Sequence, residues 1–483
     1  MGVPSVAVYS DCDRTARHVR EADEAVHIGP SEAARSYLNI DAILEAARTS
    51  GADAVHPGYG FLAENARFAR ACRDAGLTFI GPSAEAIGLM GSKTAARAAA
   101  IRAGVPVVPG TEQPLDAGVP DDDVVRAAAD IGYPIVVKAV AGGGGKGMRV
   151  VEDPRDLTGA IRVARSEAGA AFGDTSIYLE RRLTRPRHIE IQLLGDHHGT
   201  VIPFVERECS IQRRHQKVVE ESPSIAVDQA LRERIAAAAA KVARAVDYTN
   251  AGTIEFLLDE SGAFYFLEMN TRLQVEHPVT EAVTSVDLVR WQIRIASGDR
   301  LDIDPVHALT PRGHAIECRI YAEDPDLGFM PSPGLIRGLR PASGPGIRDD
   351  GGVNAGFEVP MFYDSMIAKL VAWGGTRDEA IARMARALGE YQVLGIRTTI
   401  PFFTWLMRQP EYREGRYDTT WLDRLLIERQ GQSFSELDAD EEDLVLMAAA
   451  IETYMRAHAT SPGALTEATS LWQRTAREEA LRR

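Results

Sequence analysis

Residues 253–270 read TIEFLLDESGAFYFLEMN, and this stretch decides the fold of the central part of the chain. Apolar and polar side chains alternate on both sides of the short segment 259–263, which is typical of two half-buried antiparallel strands. The short loop sets Glu255 opposite Glu268 and brings Asn270 to the same face. Directly opposed residues lie about 4.5 to 5.5 Å apart at Cβ, so two carboxylates there repel each other unless something offsets their charge.

A divalent cation is the natural partner for this carboxylate pair. Mg²⁺ and Mn²⁺ take oxygen ligands and usually bind a couple of carboxylates together with nucleotide phosphates. The alternative is a pair of solvated surface glutamates, which is a common arrangement. The apolar neighbours Phe256, Phe266 and Leu267 favour a covered sheet, and therefore favour the metal site.

The same alternation continues along the chain on either side of the hairpin. HIEIQLLG from His188 and VIPFVERE from Val201 predict further antiparallel strands, and an alanine-rich helix is expected over 229–246. The first ninety residues alternate short β-rich runs with helical patterns, which predicts a parallel α/β unit. A strand over 366–373 and a helix over 377–388 predict a last domain of mixed type. The chain is therefore expected to be an α/β and α+β multidomain protein.

Length and composition are those of a folded enzyme. The chain has 483 residues, 45% hydrophobic and 25% charged, so about three domains of ordinary globular composition are expected. The net charge of -15 repels nucleic acid and anionic membranes, and no basic stripe offsets it. We see no signal peptide and no apolar run of membrane-spanning length. The four cysteines lack CxxC spacing and predict neither zinc nor disulfides, which fits a cytoplasmic protein.

A glycine run, GGGGKG at 142–147, joins strand candidates over 134–140 and 148–152. The pattern GxGxxG has meaning only where a helix follows, and β-prone residues follow here. A Walker A loop is excluded as well, because Gly147 stands after Lys146 where Ser or Thr would bind magnesium. The remaining interpretations are a movable flap that brings backbone N–H groups to phosphate oxygens, or a flexible turn. Lys138, on the strand that enters the loop, favours phosphate binding.

Glu268 opens the string EMNTRLQVEHPVTE, and here the sequence closely resembles biotin carboxylases of the ATP-grasp superfamily. The further matching strings are HPGYGFLAEN from His56, KAVAGGGGKGMRVV from Lys138, PRHIEIQ from Pro186, ERECSIQRRHQKVVEE from Glu206 and GHAIECRIYAEDP from Gly313. The resemblance covers nearly all of residues 1 to about 425. It implies a Rossmann-like N-terminal domain over 1–90, an ATP-grasp domain over 91–305 with a flap subdomain over 108–182, and a barrel-like C-terminal domain over 306–428. A helical extension is expected over 429–483.

The resemblance also implies the site residues. ATP would be held by Lys93, Lys138, Gly142, Gly143, Gly144, Gly145, Lys146, Gly147, Glu180, His188, Gln212 and His215, with Leu257 on the adenine. The metal ligands would be Glu255, Glu268 and Asn270, as the hairpin already suggested. Bicarbonate would bind to Lys217, Arg272, Gln274 and Val275. Glu276 would be its general base, Arg319 would stabilise the biotin enolate and Tyr59 would lie by the biotin ring.

The implied reaction converts ATP, bicarbonate and biotinyl carrier protein into ADP, phosphate and carboxybiotinyl carrier protein through carboxyphosphate. A Met-Lys-Met biotinylation string is absent, so biotin would arrive on a separate carrier protein, with carboxyltransferase subunits as further partners. Met269 and Pro278 favour the acyl-CoA carboxylase type over pyruvate carboxylases. The alternatives are another ATP-grasp ligase, such as a carbamoyl-phosphate synthase relative, and an inactive assembly partner.

The resemblance is incomplete at the start of the chain. Family members normally begin with an additional strand and helix that carry Asn-Arg-Gly-Glu-Ile-Ala, and this sequence starts after that point. We expect an exposed apolar sheet edge and a weaker N-terminal domain. The homodimer of the family uses this region in part.

Overall fold

The computed structural model describes residues 1–111, 113–116, 118–140, 148–172, 174–434 and 439–458. The chain divides into two units, residues 1–432 and residues 433–483. The glycine run at 142–147 and the predicted helix over 465–481 lie outside the described residues.

The N-terminal region is built from short parallel strands and helices. Its elements are β1 (Val6–Ser10), α1 (Arg17–Glu21), β2 (Glu24–Gly29), α2 (Ile40–Ser50), β3 (Ala54–Val55), α3 (Ala66–Asp74), β4 (Thr78–Phe79) and α4 (Ala84–Met90). β1 pairs with β2 and β3 pairs with β4, both in parallel. The predicted parallel direction is therefore confirmed, but among the described residues the strands form two separate two-stranded sheets.

A small antiparallel sheet follows. Its elements are α5 (Lys93–Arg102), α6 (Asp121–Ile131), β5 (Ile135–Ala139), β6 (Met148–Val151), α7 (Leu157–Phe172) and β7 (Ile177–Arg181). The strand order is β6-β5-β7. Alternate residues of these strands, such as Ile135, Val137 and Leu179, are fully buried against Val124 of α6 and Leu157 of α7. The two strands on either side of the glycine run are therefore neighbours, as predicted, and the structure shows them to be antiparallel.

One large antiparallel sheet connects the middle of the chain to its C-terminal part. The middle elements are β8 (Arg187–Gly195), β9 (Val201–Pro203), β10 (Arg207–Arg213), β11 (Gln216–Ser222), α8 (Gln229–Ala245), β12 (Asn250–Leu258), β13 (Phe264–Asn270), α9 (His277–Thr284), α10 (Leu288–Ala296) and α11 (Pro305–Ala308). Those that follow are β14 (His314–Tyr321), β15 (Glu323–Asp324), β16 (Met330–Pro331), β17 (Gly334–Leu335), β18 (Gly338–Arg340), β19 (Ile347–Gly351), β20 (Glu358–Val359), β21 (Met366–Gly374), α12 (Arg377–Glu390), β22 (Gln392–Leu394), α13 (Ile400–Leu406), α14 (Pro410–Arg413) and α15 (Trp421–Glu428). The strand order in the large sheet is β13-β12-β8-β10-β11-β14-β21-β19, and β9 pairs with β8.

The alternation of side chains gives the large sheet one apolar face and one polar face in its β8 and β12 region. Ile254 and Phe256 of β12 and Ile189 of β8 pack on one side with the alanine-rich helix α8. Asp228 caps α8 by accepting a hydrogen bond from the Leu231 backbone N–H at 2.8 Å. Because strand side chains alternate, the intervening residues of β8 and β12 point to the opposite face, where the site lies.

The prediction of one continuous strand over VIPFVERE is wrong. The structure divides this segment between β9 and β10. The backbone N–H of Phe204 still donates to the Gln192 carbonyl of β8, but the N–H of Val205 donates to the Ala308 carbonyl, outside the strand ladder. The break lets Glu206 form a buried ion pair with Arg232 of α8.

The second unit contributes one described helix, α16 (Ala439–His458). It overlaps the helical spacing predicted from residue 444. Among the helices that the structure describes, none combines the length and the apolarity needed to cross a membrane.

Candidate active site

A cleft of about 490 Å³ lies on the polar face of the large sheet. It is lined by most of the predicted site residues: Lys93, Lys138, His188, Gln212, His215, Lys217, Glu255, Leu257, Glu268, Asn270, Arg272, Gln274, Val275, Glu276 and Arg319. Among the predicted residues that the structure describes, Glu180 lines an adjoining cavity and Tyr59 lines neither. Gly142, Gly143, Gly144, Gly145, Lys146 and Gly147 lie outside the described residues, but Ala139 and Met148 on either side of them line the cleft.

The carboxylate hairpin has the predicted register. Glu255 of β12 is directly opposed to Glu268 of β13, and Asn270 is opposed to Thr253. The Asn270 side-chain amide donates to Glu255 Oε1 at 2.9 Å, so all three predicted metal ligands share one face. Burial raises the pKa of Glu268, and the neighbouring Glu255 carboxylate adds to this rise. A cation between the two carboxylates would remove that repulsion, so the donor types and their spacing fit a hard divalent metal ion.

Glu255 itself is held by two basic side chains in this structure. Lys217 Nζ donates to its Oε1 at 2.8 Å, and His188 Nε2 lies 2.8 Å from its Oε2. Burial raises the pKa of Glu255, but Lys217 and His188 outweigh that effect and bring the pKa well below its ordinary value. A metal ion at Glu255 would therefore exchange places with one of these partners.

Lys217 is the centre of the charge network at this end of the cleft. Its ammonium group donates to Glu190 at 2.5 Å, to Glu255 at 2.8 Å and to Glu276 at 2.7 Å. Burial lowers the pKa of Lys217, but the three carboxylates, Glu190 first, raise it well above its ordinary value. Lys217 is thus a permanent cation with three negative neighbours.

Glu276 lies directly before α9, between two of the predicted catalytic cations. Lys217 donates to its Oε1 and Arg319 Nη2 donates to its Oε2 at 2.9 Å. Burial raises the pKa of Glu276, but Lys217 and Arg319 outweigh it, so the pKa lies below its ordinary value. The carboxylate is therefore ionised and ready to accept a proton. Its basicity rises once a bound anion draws the two cations away.

We call the cluster of Glu190, Lys217, Glu255, Glu276 and Arg319 the carboxylation end of the cleft. Arg272 and Gln274 border it. Arg272 Nε donates to Glu64 Oε2 at 2.8 Å and its Nη2 to Asn270 at 3.3 Å. Gln274 donates to Glu255 at 3.0 Å.

We call Lys93, Lys138, Tyr178 and Glu180, with Arg97, the nucleotide end. Lys138 Nζ pairs with Glu180 and lies 5.9 Å from the centre of the Tyr178 ring. Arg97 Nη1 approaches the same Glu180 carboxylate at 3.5 Å. Glu268 lines both the cleft and the adjoining cavity, as Lys93, Lys138 and Tyr178 also do.

The turn between β10 and β11 places two predicted nucleotide residues at the mouth of the cleft. Arg214 and His215 have φ values of 50° and 66°, the left-handed conformation of a tight hairpin turn. Gln212, just before the turn, donates to the Cys209 carbonyl at 2.8 Å and lines the cleft beside His215.

Several residues that hold the site were not predicted. Arg207 is fully buried and donates to Glu190, Gln192, Thr280, Thr253 and Gln274, and so ties β8, β12 and α9 together. Glu190, Arg207 and Glu64 all lie inside the motif strings, which was a signal for them.

Lys369 is a further site residue that was not predicted. Its only signal in the sequence is a single charge in the apolar run MIAKLVAW, and its ammonium group donates to the Val275 carbonyl at 3.0 Å. The predicted biotin residue Tyr59 lies beside Lys369, whose Nζ is 5.6 Å from the ring centre.

A second group with metal-binding side chains, His188, Glu190 and Cys209, is buried next to the hairpin. Two of these side chains are already bound to other residues, and the third is disfavoured in the charge state that metal binding requires. Glu190 binds Arg207 and Lys217, and His188 binds Glu255. Burial raises the pKa of the Cys209 thiol well above its ordinary value, which disfavours the thiolate that a metal needs. The oxygen donors of the hairpin are therefore the better metal site.

An antiparallel sheet with a carboxylate hairpin, together with a smaller three-stranded sheet in which two strands flank a glycine run, defines an ATP-grasp enzyme. Three family models match the chain: "Biotin carboxylase, N-terminal domain" over residues 1–87, "Carbamoyl-phosphate synthase L chain, ATP binding domain" over 92–304 and "Biotin carboxylase C-terminal domain" over 317–424. The chain belongs to the biotin carboxylase family of ATP-dependent ligases.

Curated relatives and solved structures agree with this assignment. The chain is 52% identical over 425 residues to a biotin carboxylase of Nostoc sp., covering 88% of this chain and 94% of the relative. It is 49% identical over 469 residues to a pyruvate carboxylase subunit of Methanothermobacter thermautotrophicus, covering 94% of each. The biotin carboxylase domain dimer of Hydrogenobacter thermophilus 2-oxoglutarate carboxylase, in complex with MgADP, ADP and bicarbonate, matches with a TM-score of 0.82 and 44% identity over 90% of this chain and 94% of that one.

Proposed function

We propose that the cleft carboxylates biotin in two steps, with ATP bound at the nucleotide end and bicarbonate at the carboxylation end. The observation that carries this proposal is the position of Glu276, an ionised carboxylate held between Lys217 and Arg319. Bicarbonate is a poor nucleophile, so it needs cations that bind it and a base that removes its proton. The carboxylation end supplies both.

In the first step, Lys217, Arg272 and the groups of Gln274 and Val275 bind bicarbonate, and Glu276 accepts its proton. The bicarbonate oxygen then attacks the γ-phosphate of ATP, which gives carboxyphosphate and ADP. Lys93, Lys138, Glu180, His188, Gln212, His215 and Leu257, with Gly142 to Gly147, are the proposed nucleotide-binding residues. Phosphoryl transfer depends mainly on positioning and on positive charge at the phosphates, which the lysines provide.

Glu255, Glu268 and Asn270 are the proposed ligands of Mg²⁺ or Mn²⁺. When bound, the metal ion neutralises charge on the phosphate oxygens during transfer. Glu255 would hold the metal ion with an oxygen that Lys217 or His188 contacts in this structure.

In the second step, carboxyphosphate breaks down to CO₂ and phosphate. The phosphate accepts the proton from N1′ of biotin, and Arg319 stabilises the negative charge on the ureido oxygen. N1′ of the resulting enolate then attacks the carbon of CO₂, which forms the new N–C bond of carboxybiotin. Tyr59 lies beside Lys369, near the Val275 end of the cleft, where we place the biotin ring.

We further propose that biotin arrives on a separate carrier protein and that the chain works with carboxyltransferase subunits, as a homodimer. Met269 and Pro278 favour an acyl-CoA carboxylase. The proposed domains are 1–90, 91–305 with the flap 108–182, 306–428 and the extension 429–483. The family models end or begin within about a dozen residues of the domain limits at 90, 305 and 428, which supports this division.

The test is ATP hydrolysis by the purified chain with Mg²⁺ in buffer, with bicarbonate, and with bicarbonate plus free biotin. We expect biotin to stimulate hydrolysis only when bicarbonate is present, and we expect Glu276→Gln to abolish the stimulation. Ammonia in place of biotin separates the carbamoyl-phosphate synthase alternative, which predicts stimulation by ammonia. No turnover from a chain shown to be folded would instead favour an inactive assembly partner.

A further inference from the structure

Two buried glutamates behind Arg319 have no part in the reaction as proposed so far. Glu220 of β11 and Glu317 of β14 are directly opposed in an antiparallel pair, and both side chains are fully buried. Residues in this position have Cβ atoms about 4.5 to 5.5 Å apart on one face of the sheet. Arg319 follows on the same face of β14, opposite Lys369 of β21.

The pair is shielded from bulk solvent. α9, which begins next to Glu276, covers this face of the sheet through apolar contacts of Val279 and Val283 with Ala315 and Val371. Val371 is the residue of β21 opposite Glu317. The pair therefore lies between an apolar layer and the arginine at the carboxylation end of the cleft.

The carboxylate oxygens of the pair are unequally satisfied. Arg319 pairs with Glu220 Oε1, at 2.7 Å from Nε and 2.6 Å from Nη2. Glu220 Oε2 and both oxygens of Glu317 have no hydrogen-bond donor among the protein atoms that the structure describes. The adjacent Glu221 faces the other side of the sheet and is bound there by His314, Arg377 and Tyr417. Burial alone therefore does not explain why Glu317 lacks a cation.

Two ionised carboxylates in this arrangement would repel each other in a medium that screens charge poorly. Buried polar groups are almost always hydrogen-bonded, and three unsatisfied oxygens in one place need an explanation. A single proton would supply one: it removes a charge and turns one of the oxygens into a donor for the other carboxylate.

We propose that Glu220 and Glu317 share one proton, carried by Glu317, and that this pair is a positioning device for Arg319. The Glu317 hydroxyl donates to Glu220 Oε2, which leaves Glu220 with one full negative charge to orient the guanidinium through Oε1. Arg319 then spans from Glu220 behind it to Glu276 in the cleft. The inference rests on the proposed function in one respect, the role of Arg319 toward biotin.

The charges around the pair agree with a shared proton. Burial raises the pKa of Glu317 well above its ordinary value, and Glu220 and Glu276 add to the rise against the opposing effects of Lys369 and Arg319. Burial also raises the pKa of Glu220, to about 7, with Glu276 adding to the rise and Arg319 and Lys217 opposing it. Loss of the shared proton at alkaline pH would leave two negative charges behind Arg319 and draw the guanidinium back from the cleft.

Two substitutions at Glu317 separate positioning from packing. Glu317→Gln keeps the shape of the side chain and provides a permanent N–H donor for Glu220. We therefore expect its kcat/KM for biotin near neutral pH to lie within about twofold of the wild-type value, because no buried polar group loses its partner. Its alkaline decline should shift to higher pH or disappear, because the amide cannot lose the proton. Glu317→Leu removes the donor and leaves Glu220 Oε2 unpaired. The free-energy cost of such an unpaired group corresponds to about a tenfold lower kcat/KM for biotin, and the KM for ATP should be unchanged.

Infrared spectroscopy tests the proton without any activity measurement. We expect the carbonyl stretch of a buried, protonated carboxyl group in the wild type, lost in Glu317→Gln and retained when exposed Glu358 is changed to Gln as the matched control. A band unaffected by Glu317→Gln, or a Gln variant as impaired as the Leu variant, would overturn the inference. If the wild type lacks biotin-stimulated hydrolysis but the infrared result holds, the proposed function fails and the shared proton stands.

Discussion

The two ends of the cleft differ in how their cations are held. At the carboxylation end, Lys217 has three carboxylate partners and Arg319 has two, and all of these carboxylates are buried. At the nucleotide end, Lys138 and Arg97 share the single carboxylate of Glu180. Carboxylates therefore outnumber these cations at the carboxylation end, whereas cations outnumber carboxylates at the nucleotide end.

This difference suits the two substrates. Nucleotide phosphates carry several charges and bind well to cations that are only partly neutralised. Bicarbonate carries one charge, and under the proposed function it would draw Lys217 from its carboxylate partners and Arg272 from Glu64. That exchange would couple binding of the anion to the basicity of Glu276. The carboxylation end is therefore a preformed network, and the proposed function requires its cations to change partners during the reaction.

The strongest way to break this network is to remove its base. Glu276→Gln should lower biotin carboxylation by about 10²- to 10⁴-fold, the usual contribution of a general base. The affinity for ATP should change little, because Glu276 lies at the other end of the cleft. Product formation can be measured with labelled bicarbonate, and nucleotide affinity by equilibrium titration. A variant that keeps a tenth or more of the wild-type rate would exclude Glu276 as the base.

The stability of the two ends can be compared with matched lysine substitutions. Lys217→Met leaves Glu190, Glu255 and Glu276 without their common cation, and removal of one partner from a buried ion pair costs about 3–5 kcal/mol. Lys138→Met leaves Glu180 with Arg97 as its remaining cation and should cost less, about 1.5–3 kcal/mol, the contribution of one hydrogen bond to a charged group. Urea unfolding of the two variants measures this difference. Equal losses would contradict the contrast between the ends.

The metal ion should link the two ends through Glu268. A ligand at one hundred times its Kd stabilises the folded state by about 2.7 kcal/mol. If Mg²⁺ binds to the hairpin together with ADP, MgADP should raise the unfolding midpoint more than ADP does alone. In Glu268→Gln we expect the increment from ADP alone to remain and the increment from Mg²⁺ to disappear. Thermal unfolding with and without a chelator gives both values. A full Mg²⁺ increment in this variant would place the metal elsewhere.

The sequence predicted local geometry well and the choice of partners poorly. The register of Glu255 and Glu268 followed from the alternation and the loop length, because both are local properties of a hairpin. The break after Phe204 was missed because the next backbone N–H, that of Val205, donates to the carbonyl of Ala308, about one hundred residues away. The parallel N-terminal strands were predicted, but strand pairing across a sheet is a tertiary property, and their division into two sheets was not.

The same reason explains which site residues were found. Residues in motif strings were identified, and the structure places most of the described ones along one cleft. No local pattern shows that Arg207 bonds to five different side chains, or that Glu317 is opposed to Glu220 and not to a cation. These relations depend on strand order, which the sequence pattern leaves open.

The smallest expected effect concerns His277, the residue that follows Glu276 at the carboxylation end. Its Nδ1 lies 2.8 Å from the Gln274 carbonyl and donates to it. Burial, with Lys369 nearby, lowers the pKa of His277 to about 3 from an ordinary value of 6.5. The folded state therefore disfavours the protonated ring, while the unfolded state binds a proton as the pH falls below 6.5. This group's contribution to stability is constant above pH 6.5 and is lost progressively as the pH falls toward 3.

At pH 5 the unfolded chain gains about 2 kcal/mol from this proton, at 1.36 kcal/mol per pKa unit. His277→Asn keeps a donor for the Gln274 carbonyl but cannot be protonated. The variant should be somewhat less stable than the wild type at pH 8 and should lose less stability between pH 7 and pH 5. Urea unfolding across that range measures both slopes. Parallel slopes would mean that His277 is accessible to protons in the folded state, and that the network beside Glu276 is less closed to water than its burial indicates.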